Sequence, residues 1–180
     1  MLRLFVALEL PDDVKQRIAP LASGLPDARW VAPESLHITL KFIGEVDEEA
    51  AEDIEAALGL VHSSPVEMSL SGVGCWESKG RVRAVWSKVK AGDALGLLHG
   101  RVESSLKRVG FEPEGRKFTP HVTVARLKGV PARIVAPYLE HYGDFRAGPF
   151  TADHFTLFRS HMGHGGSYYE ALARYDLTRA

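Results

Sequence analysis

The stretch KFTPHVTVAR at residues 117–126, together with LHITLKF at residues 36–42, decides how this chain folds. Both stretches contain His-x-Thr-x with apolar residues at the x positions, beginning at His37 and His121. Because successive side chains of a β-strand point to opposite faces, each histidine shares a face with the threonine two residues later, and the apolar pair faces a core. Two such strands facing one another would present two imidazoles and two hydroxyls to a single ligand.

The two motifs form part of a longer internal repeat. They lie at positions 37 and 121, a separation of 84 residues in a chain of 180, and each is followed by a glycine and then by a helical pattern. This arrangement predicts a degenerate duplication in which each half contributes one strand to a shared cleft. We therefore expect an α+β fold, bilobal, with two pseudo-symmetric antiparallel-sheet lobes, outer helices and a central cleft. Residues 1–180 are expected to form one such bilobal domain.

Hydrophobic periodicity and helix-capping residues predict the other elements. The two motif strands are expected to end near Gly44 and Gly129. The remaining predicted strands are 2–10, 28–31, 66–76, 82–89, 145–150, 151–158 and 168–177, and the predicted helices are 12–21, 47–60, 93–109 and 131–142. The segment HMGHGG at residues 161–166 is expected to be a flexible loop.

The composition limits the class of protein. Hydrophobic residues make up 45% of the chain and the formal net charge is −1, which argues against a protein that coats nucleic acid by bulk neutralisation of phosphates. The lone cysteine excludes an internal disulfide and a cysteine-based zinc site. Since no apolar run approaches the ~18 residues of a membrane span and no signal-peptide pattern is present, we expect a cytoplasmic monomer that does not bind membranes.

The paired histidines indicate acid–base chemistry at a phosphate or carbonyl centre. An imidazole, with an ordinary pKa of ~6.5, can act as acid or base near neutrality. Two imidazoles on opposite sides of a phosphorus can deprotonate an attacking water and protonate the departing oxygen in one in-line step. Such chemistry needs no metal or other cofactor, and the residues alone do not say which histidine is the acid.

Four further side chains are candidate phosphate ligands. Thr39 and Thr123 share a face with their histidines and are expected to donate hydrogen bonds to non-bridging phosphate oxygens. Lys41 has the same parity as the first histidine and should therefore face the cleft. Arg126 has the opposite parity to the second histidine, so it faces the cleft only if a bulge or the strand end turns it. Cations at these positions would offset the charge that develops on the phosphate.

Other features compete with this interpretation. A third His-x-Thr, at His154, has no partner at the repeat offset, and we expect it to lie outside the site. His161 and His164 are spaced like metal ligands, but without an acid or cysteine nearby a solvent-exposed loop is favoured. Four aromatic side chains could stack a base at the rim of the cleft: Trp30, Phe42, Phe118 and Tyr168. Core packing is the more common role of such residues.

The segments WVAPESLHITLKFIG and FTPHVTVAR resemble the 2H phosphoesterases, which carry two His-x-Thr/Ser-x motifs. The branch of RNA 2′,3′-cyclic phosphodiesterases, historically called 2′-5′ RNA ligases, is the most similar, and RLFVALELP and LFRS…YYEALARYDL extend the resemblance over nearly the whole chain. The resemblance implies a bilobal fold with a metal-free site in the cleft. It also implies that His37 is the proton donor and His121 the proton acceptor, and it matches Arg126 to a frequent basic residue after the second motif.

These observations lead to a functional hypothesis with open alternatives. The chain is expected to hydrolyse terminal ribose 2′,3′-cyclic phosphates to 2′-phosphomonoesters, with RNA ends or cyclic nucleotides as its substrates. The first alternative is the reverse reaction, 2′-5′ RNA ligation, which uses the same groups. A noncatalytic protein that binds RNA ends is the second, and a phosphodiesterase restricted to small cyclic nucleotides is the third.

Overall fold

Nine strands form one antiparallel sheet, and four α-helices pack against it, in residues 1–179, which this computed structural model describes. The strands are β1 (Leu2–Glu9), β2 (Arg29–Trp30), β3 (His37–Val46), β4 (Val66–Ser78), β5 (Arg81–Ala91), β6 (His121–Pro131), β7 (Arg146–Ala152), β8 (His154–Gly163) and β9 (Gly166–Asp176). The helices are α1 (Asp12–Ile18), α2 (Glu48–Leu58), α3 (Asp93–Lys107) and α4 (Ala132–His141), with 3-10 turns at Ala19–Leu21 and Pro33–Ser35.

The sheet is divided into two lobes at its centre. Its strand order is β7-β4-β5-β6-β3-β1-β8-β9, with β2 paired to β6. The β6 and β3 strands, which carry the two motifs, meet through a single antiparallel residue pair, Ile38 with Val122. Four strands of this order lie on each side of the contact, so the predicted α+β fold with two antiparallel lobes is confirmed, and the lobes share one continuous sheet.

The core follows from the apolar patterning of the strands and helices. In β1 the run from Leu4 to Leu8 is buried on both faces of the sheet. Helix α2 begins where the Asp47 side chain accepts a hydrogen bond from the backbone N–H of Ala50, which satisfies one of the free donors of the first turn. Its stripe, including Ile54, is buried in the main core beside α3. The helices thus cover the apolar face of the motif strands and leave the histidine face open.

Several boundaries differ from the sequence predictions, and the largest changes lie at the last hairpin and at the ends of the motif strands. Residues 161–166 form the end of a tight hairpin, because β8 pairs with β9 as far as Gly163 and Gly166. Gly166 has a φ of 110°, which a residue without a side chain adopts readily at such a turn. The motif strands run on past Gly44 and Gly129, to Val46 and Pro131.

Among the helices within residues 1–179, none combines the length and apolar character needed to cross a membrane.

Candidate active site

The two motif histidines are held in the same way. His37 Nδ1 donates a hydrogen bond to the carbonyl oxygen of Ser35 at 2.7 Å, and His121 Nδ1 donates to that of Thr119, also at 2.7 Å. A carbonyl can only accept, so Nδ1 carries the proton in both rings and Nε2 holds the lone pair of the neutral imidazole. Each chain segment therefore orients its own imidazole through the residue two positions earlier, and each presents Nε2 for proton transfer.

The junction of the two lobes brings the motif residues together. Because Ile38 pairs with Val122 in antiparallel fashion, His37 lies across from Thr123 and His121 across from Thr39 on one face of the sheet. Diagonal neighbours in such a ladder are about 7–8 Å apart, with side chains closer. Thr39 Oγ1 lies 2.9 Å from His37 Nε2 and can donate to it when that ring is neutral. The register therefore places both imidazoles and both hydroxyls on one face of the sheet, at the junction of the two lobes.

Matching bulges in β3 and β6 determine which side chains after Thr39 and Thr123 face the cleft. Thr39 pairs with Ala7 but Lys41 pairs with Val6, so Leu40 is an extra residue in its strand. In β6 the register shifts at the same point of the motif, because the ladder with β5 skips Val124. An extra residue reverses the alternation of side chains beyond it.

As a result, the fifth residue after each histidine faces the cleft, and the fourth is buried. Arg126 is exposed and lines a cavity beside His37 and Thr39. The bulge therefore turns this side chain towards the cleft, which strand parity alone would not do. Phe42 occupies the equivalent position in the first motif and also lines this cavity. The extra residue at Leu40 breaks the parity that was expected to place Lys41 on the face of His37, yet Lys41 still lines the wall of the cavity that contains His121.

Lys41 is instead part of a buried ion pair. Its Nζ lies 3.2 Å from Oε1 and 3.4 Å from Oε2 of Glu103 on α3, with both side chains less than a tenth exposed. The same ammonium donates to the carbonyl oxygen of Glu112 at 2.8 Å, and Glu103 accepts from the N–H of Glu114 at 3.1 Å. This pair attaches the loop that leads to the second motif to both β3 and α3.

Two cavities open on either side of the motif residues. The first, of about 290 Å³, contains His37, Arg126 and the rings of Phe5 and Tyr169, and we call it the His37 cavity. The second, of about 470 Å³, contains His121 and lies under the loop before it, and we call it the His121 cavity. Thr39 and Phe42 line both, so the two spaces meet at the first motif.

Aromatic rings pack around both imidazoles. The Phe5 ring centroid lies 5.0 Å from that of His37, and Tyr169 approaches it edge-on at 5.4 Å. On the other side Trp76 approaches His121 edge-on at 5.4 Å, and the Trp86 ring lies 6.0 Å from the same imidazole. These four rings were not identified from the sequence as site residues. The pairing of β1 with β3 brings Phe5 to the motif, which only the tertiary structure reveals.

The aromatic residues that the sequence suggested as base-stacking candidates have different environments. Trp30 packs in the core against Tyr138. Phe118 stacks on His99 at 3.9 Å and lines the His121 cavity. Tyr168 stacks on His161 at 4.9 Å, and neither residue lines either of the two cavities. Phe42 is the one of the four that faces both cavities.

The environment of His37 favours its neutral form in the free protein. Burial lowers the pKa of His37 below its ordinary value of 6.5, and the hydrogen bond to Ser35 opposes this effect. The positive charges of Arg126 and of a protonated His121 lower the pKa of His37 further. A bound anion beside Arg126 would cancel these repulsions, so the ability of this ring to hold a proton is coupled to occupancy of the cleft.

The third His-x-Thr copy lies outside both cavities. His154 Nδ1 lies 2.6 Å from Asp153 and its Nε2 lies 3.3 Å from Glu9, while Thr156 donates to the same glutamate at 3.2 Å. Burial lowers the pKa of His154, but the hydrogen bonds and charges of the two carboxylates outweigh it and raise that pKa overall. This histidine is therefore fixed in a local acidic network.

Among the described residues, His, Cys, Asp and Glu form no group of three or more suited to a metal ion.

Comparisons with known proteins identify the family that this chain resembles. The chain matches the LigT like Phosphoesterase family over residues 8–86 and 88–169. It is 34% identical to an RNA 2′,3′-cyclic phosphodiesterase of Archaeoglobus fulgidus over 97% of this chain and 100% of that protein.

Solved structures show the same fold. Escherichia coli LigT complexed with 3′-AMP superposes with a TM-score of 0.78 at 26% identity, covering 99% of each chain. A protein of Thermus thermophilus superposes with a TM-score of 0.82 at 24% identity over 97% of each chain, which is a likeness of fold.

Proposed function

Since the chain belongs to the LigT-like phosphoesterase family of the 2H phosphoesterases, we propose that it hydrolyses terminal ribose 2′,3′-cyclic phosphates of RNA to 2′-phosphomonoesters. The predicted family and the prediction that the chain is an enzyme are confirmed by the same matches. The observation that carries the specific reaction is the equivalent orientation of His37 and His121. Both rings have Nδ1 bound to a backbone carbonyl on the same face of the sheet, which leaves Nε2 as the proton-transfer atom, and Nε2 of His37 also contacts the hydroxyl of Thr39.

The proposed reaction is an in-line displacement at phosphorus. His121 Nε2 takes a proton from water while the water oxygen forms a bond to phosphorus. The bond from phosphorus to the ribose 3′ oxygen breaks, and His37 Nε2 gives that oxygen its proton. One water is consumed, a 2′-phosphomonoester and a free 3′ hydroxyl are formed, and the two imidazoles exchange protonation states.

The assignment of donor and acceptor follows the family resemblance, and the local environment is consistent with it. The proton donor must be protonated when substrate is bound. Burial and neighbouring positive charge lower the pKa of His37 in the free protein, and the negative phosphate would reverse the charge contribution. Binding of the substrate phosphate would therefore raise the pKa of His37 and favour its protonated form. Proton donation by His37 would then occur only when the site is occupied.

The remaining groups would stabilise charge on the phosphate. Thr39 and Thr123 supply hydroxyl donors on the face of the imidazoles, and Arg126 supplies a guanidinium at the wall of the His37 cavity. Lys41 is left out of this group because its ammonium is already paired with Glu103. We propose a metal-independent reaction, since two imidazoles and these donors supply the proton transfers and the charge stabilisation that the step requires.

A second candidate reaction is supported by the size of the His121 cavity. A single water occupies about 30 Å³, whereas this cavity measures about 470 Å³. A ribose 5′ hydroxyl could enter in place of water and attack the same cyclic phosphate, which would give a 2′-5′ linkage. Hydrolysis and ligation would then be competing outcomes at one site, decided by what occupies the His121 cavity.

The test is turnover of adenosine 2′,3′-cyclic phosphate and of a short RNA ending in a cyclic phosphate, with products separated by chromatography. We expect 2′-phosphate products, activity that survives EDTA, and a loss of about 10²–10⁴-fold in kcat for either His37→Ala or His121→Ala. Addition of an RNA with a 5′ hydroxyl would report ligation as a longer product. Binding without turnover by the native protein would reject the enzyme reaction and support a noncatalytic RNA-end binder.

A further inference from the structure

A groove on the far side of Arg126 is not used by the proposed chemistry. It measures about 1030 Å³ and lies between β2 and the end of β6, beside the start of α4, and we call it the Arg29 groove. Its apolar lining includes Leu127 and Ile134, and its charged residues are the three cations Arg29, Arg126 and Lys128 and one carboxylate, Asp27. Arg126 lines both this groove and the His37 cavity, so the two spaces adjoin at this residue.

The cations of this groove are arranged in a way that costs stability in the absence of an anion. Arg29 is directly opposite Arg126 in the β2–β6 ladder, and like charges placed directly opposite one another in a sheet repel. In the described part of the chain, neither arginine nor Lys128 has a carboxylate within 4 Å. The whole chain has a net charge of −1, so this concentration of positive charge is local and suits an extended polyanion.

The groove lies where the rest of an RNA substrate would have to leave the site. A 2′,3′-cyclic phosphate is the 3′ end of its strand, so every other nucleotide extends from the 5′ side of the reacting ribose. The proposed chemistry puts the 3′ oxygen at His37 and hence the ribose in the His37 cavity. Arg29 lies near this exit. Its Nη1 is 4.0 Å from the position that a Cβ would take at Gly166, and the next residue along the chain, Ser167, lines the His37 cavity.

We propose that the Arg29 groove binds the RNA backbone on the 5′ side of the reacting nucleotide, with Arg29 and Lys128 contacting its phosphates. This inference rests on the proposed function and identifies single-stranded RNA, in preference to a mononucleotide, as the substrate class. The apolar lining would contact riboses and bases without selecting a sequence, and the cations would hold the backbone. Arg126 would serve the reacting phosphate, and the other two cations would serve the phosphates that precede it.

The experiment compares kcat/KM for adenosine 2′,3′-cyclic phosphate with kcat/KM for a five-nucleotide RNA ending in a cyclic phosphate. The test protein carries Arg29→Gln and Lys128→Gln. The matched control carries Lys107→Gln and Arg108→Gln, two exposed cations at the end of α3, so that the net charge changes equally. We expect the ratio of the RNA value to the mononucleotide value to fall at least about tenfold in the test protein and to stay unchanged in the control.

Salt dependence gives a second readout. Removal of two phosphate contacts should reduce the slope of log affinity against log salt for the RNA by about 1.4. An unchanged ratio, or an equal fall in the control, would overturn the groove proposal while leaving the reaction intact. If the native protein turns over neither substrate, the proposed function fails, and the groove is then tested by fluorescence anisotropy with the same RNA. Equal RNA affinity of native and test proteins in that assay would overturn the groove as well.

Discussion

Replacement of Lys41 by methionine tests whether this cation supports the structure or binds the substrate. The ammonium lies 3.2 Å from Glu103 with both side chains less than a tenth exposed, and it also donates to the carbonyl oxygen of Glu112. Removal of one partner of a buried ion pair leaves an uncompensated charge and costs about 3–5 kcal/mol. We therefore expect Lys41→Met to reduce the free energy of unfolding by ~3–5 kcal/mol.

The double variant Lys41→Met, Glu103→Leu removes both charges together. Apolar residues of similar volume often replace a buried pair at little or no cost, so we expect it to recover at least about 2 kcal/mol of the loss in Lys41→Met. Urea denaturation at pH 7 gives both values if the m-value is unchanged. In the double variant, kcat/KM for a cyclic mononucleotide should stay within about tenfold of the native value, well short of the 10²–10⁴ of a missing acid or base.

The opposite pattern would refute this reasoning. A loss of less than about 1 kcal/mol in Lys41→Met, combined with a hundredfold fall in kcat/KM in both variants, would mean that Lys41 contacts the phosphate. The conclusion that the bulge at Leu40 turns this side chain towards the core would then be wrong. The single and double variants together separate stability from binding, because only a ligand role affects turnover while the fold stays stable.

Three further predictions follow from other contacts. Arg126→Gln removes a positive charge that lowers the pKa of His37, so that pKa should rise in an NMR titration of the free protein while kcat/KM falls about tenfold or more. Gly74→Ala would force a Cβ into the ring of Trp86, and it should reduce stability by about 1–3 kcal/mol in urea denaturation. His154→Gln changes a residue that lines neither cavity, so it removes no group from the reacting atoms and should leave kcat/KM within about twofold of native.

Each of these predictions has a control and an opposing result. A Cβ at Gly115, in a loop, would meet no atom within 4 Å, so Gly115→Ala is the matched control for Gly74→Ala, and equal stability of the two variants would exclude the steric argument. A pKa of His37 that falls in Arg126→Gln would mean that the arginine does not act on it by charge. Loss of turnover in His154→Gln would make the third copy of the motif part of the site.

The fold and the pairing of the motifs were predictable because they depend on local patterns. Alternation of apolar and polar residues marks the strands, and the repetition of His37 at position 121 with the same surroundings marks two related halves. The helices were also correct in number and approximate position, since Asp47 and the stripe that includes Ile54 carry ordinary start and periodicity signals.

Side-chain direction beyond each threonine was not predictable, because it depends on bulges. Strand parity alone placed Lys41 on the face of His37, and it placed Arg126 on the opposite face from His121 unless a bulge or the strand end turned it. One extra residue in each motif strand changed the direction of both side chains. The packing of Phe5 and Tyr169 on His37 depends on which strands become neighbours in the sheet. Such contacts arise from tertiary structure, so no local pattern in the sequence reports them.

A crystal structure with adenosine 2′-monophosphate, the expected product of cyclic adenosine phosphate, bound in the cleft would decide whether both histidines act on one phosphate. We predict that Nε2 of His37 and Nε2 of His121 each lie about 2.6–3.2 Å from an oxygen bonded to the phosphorus or from a water in line with it. We also predict that Arg126 contacts the same phosphate. A phosphate held by only one of the two imidazoles, or bound in the Arg29 groove with the cleft empty, would contradict the two-histidine mechanism.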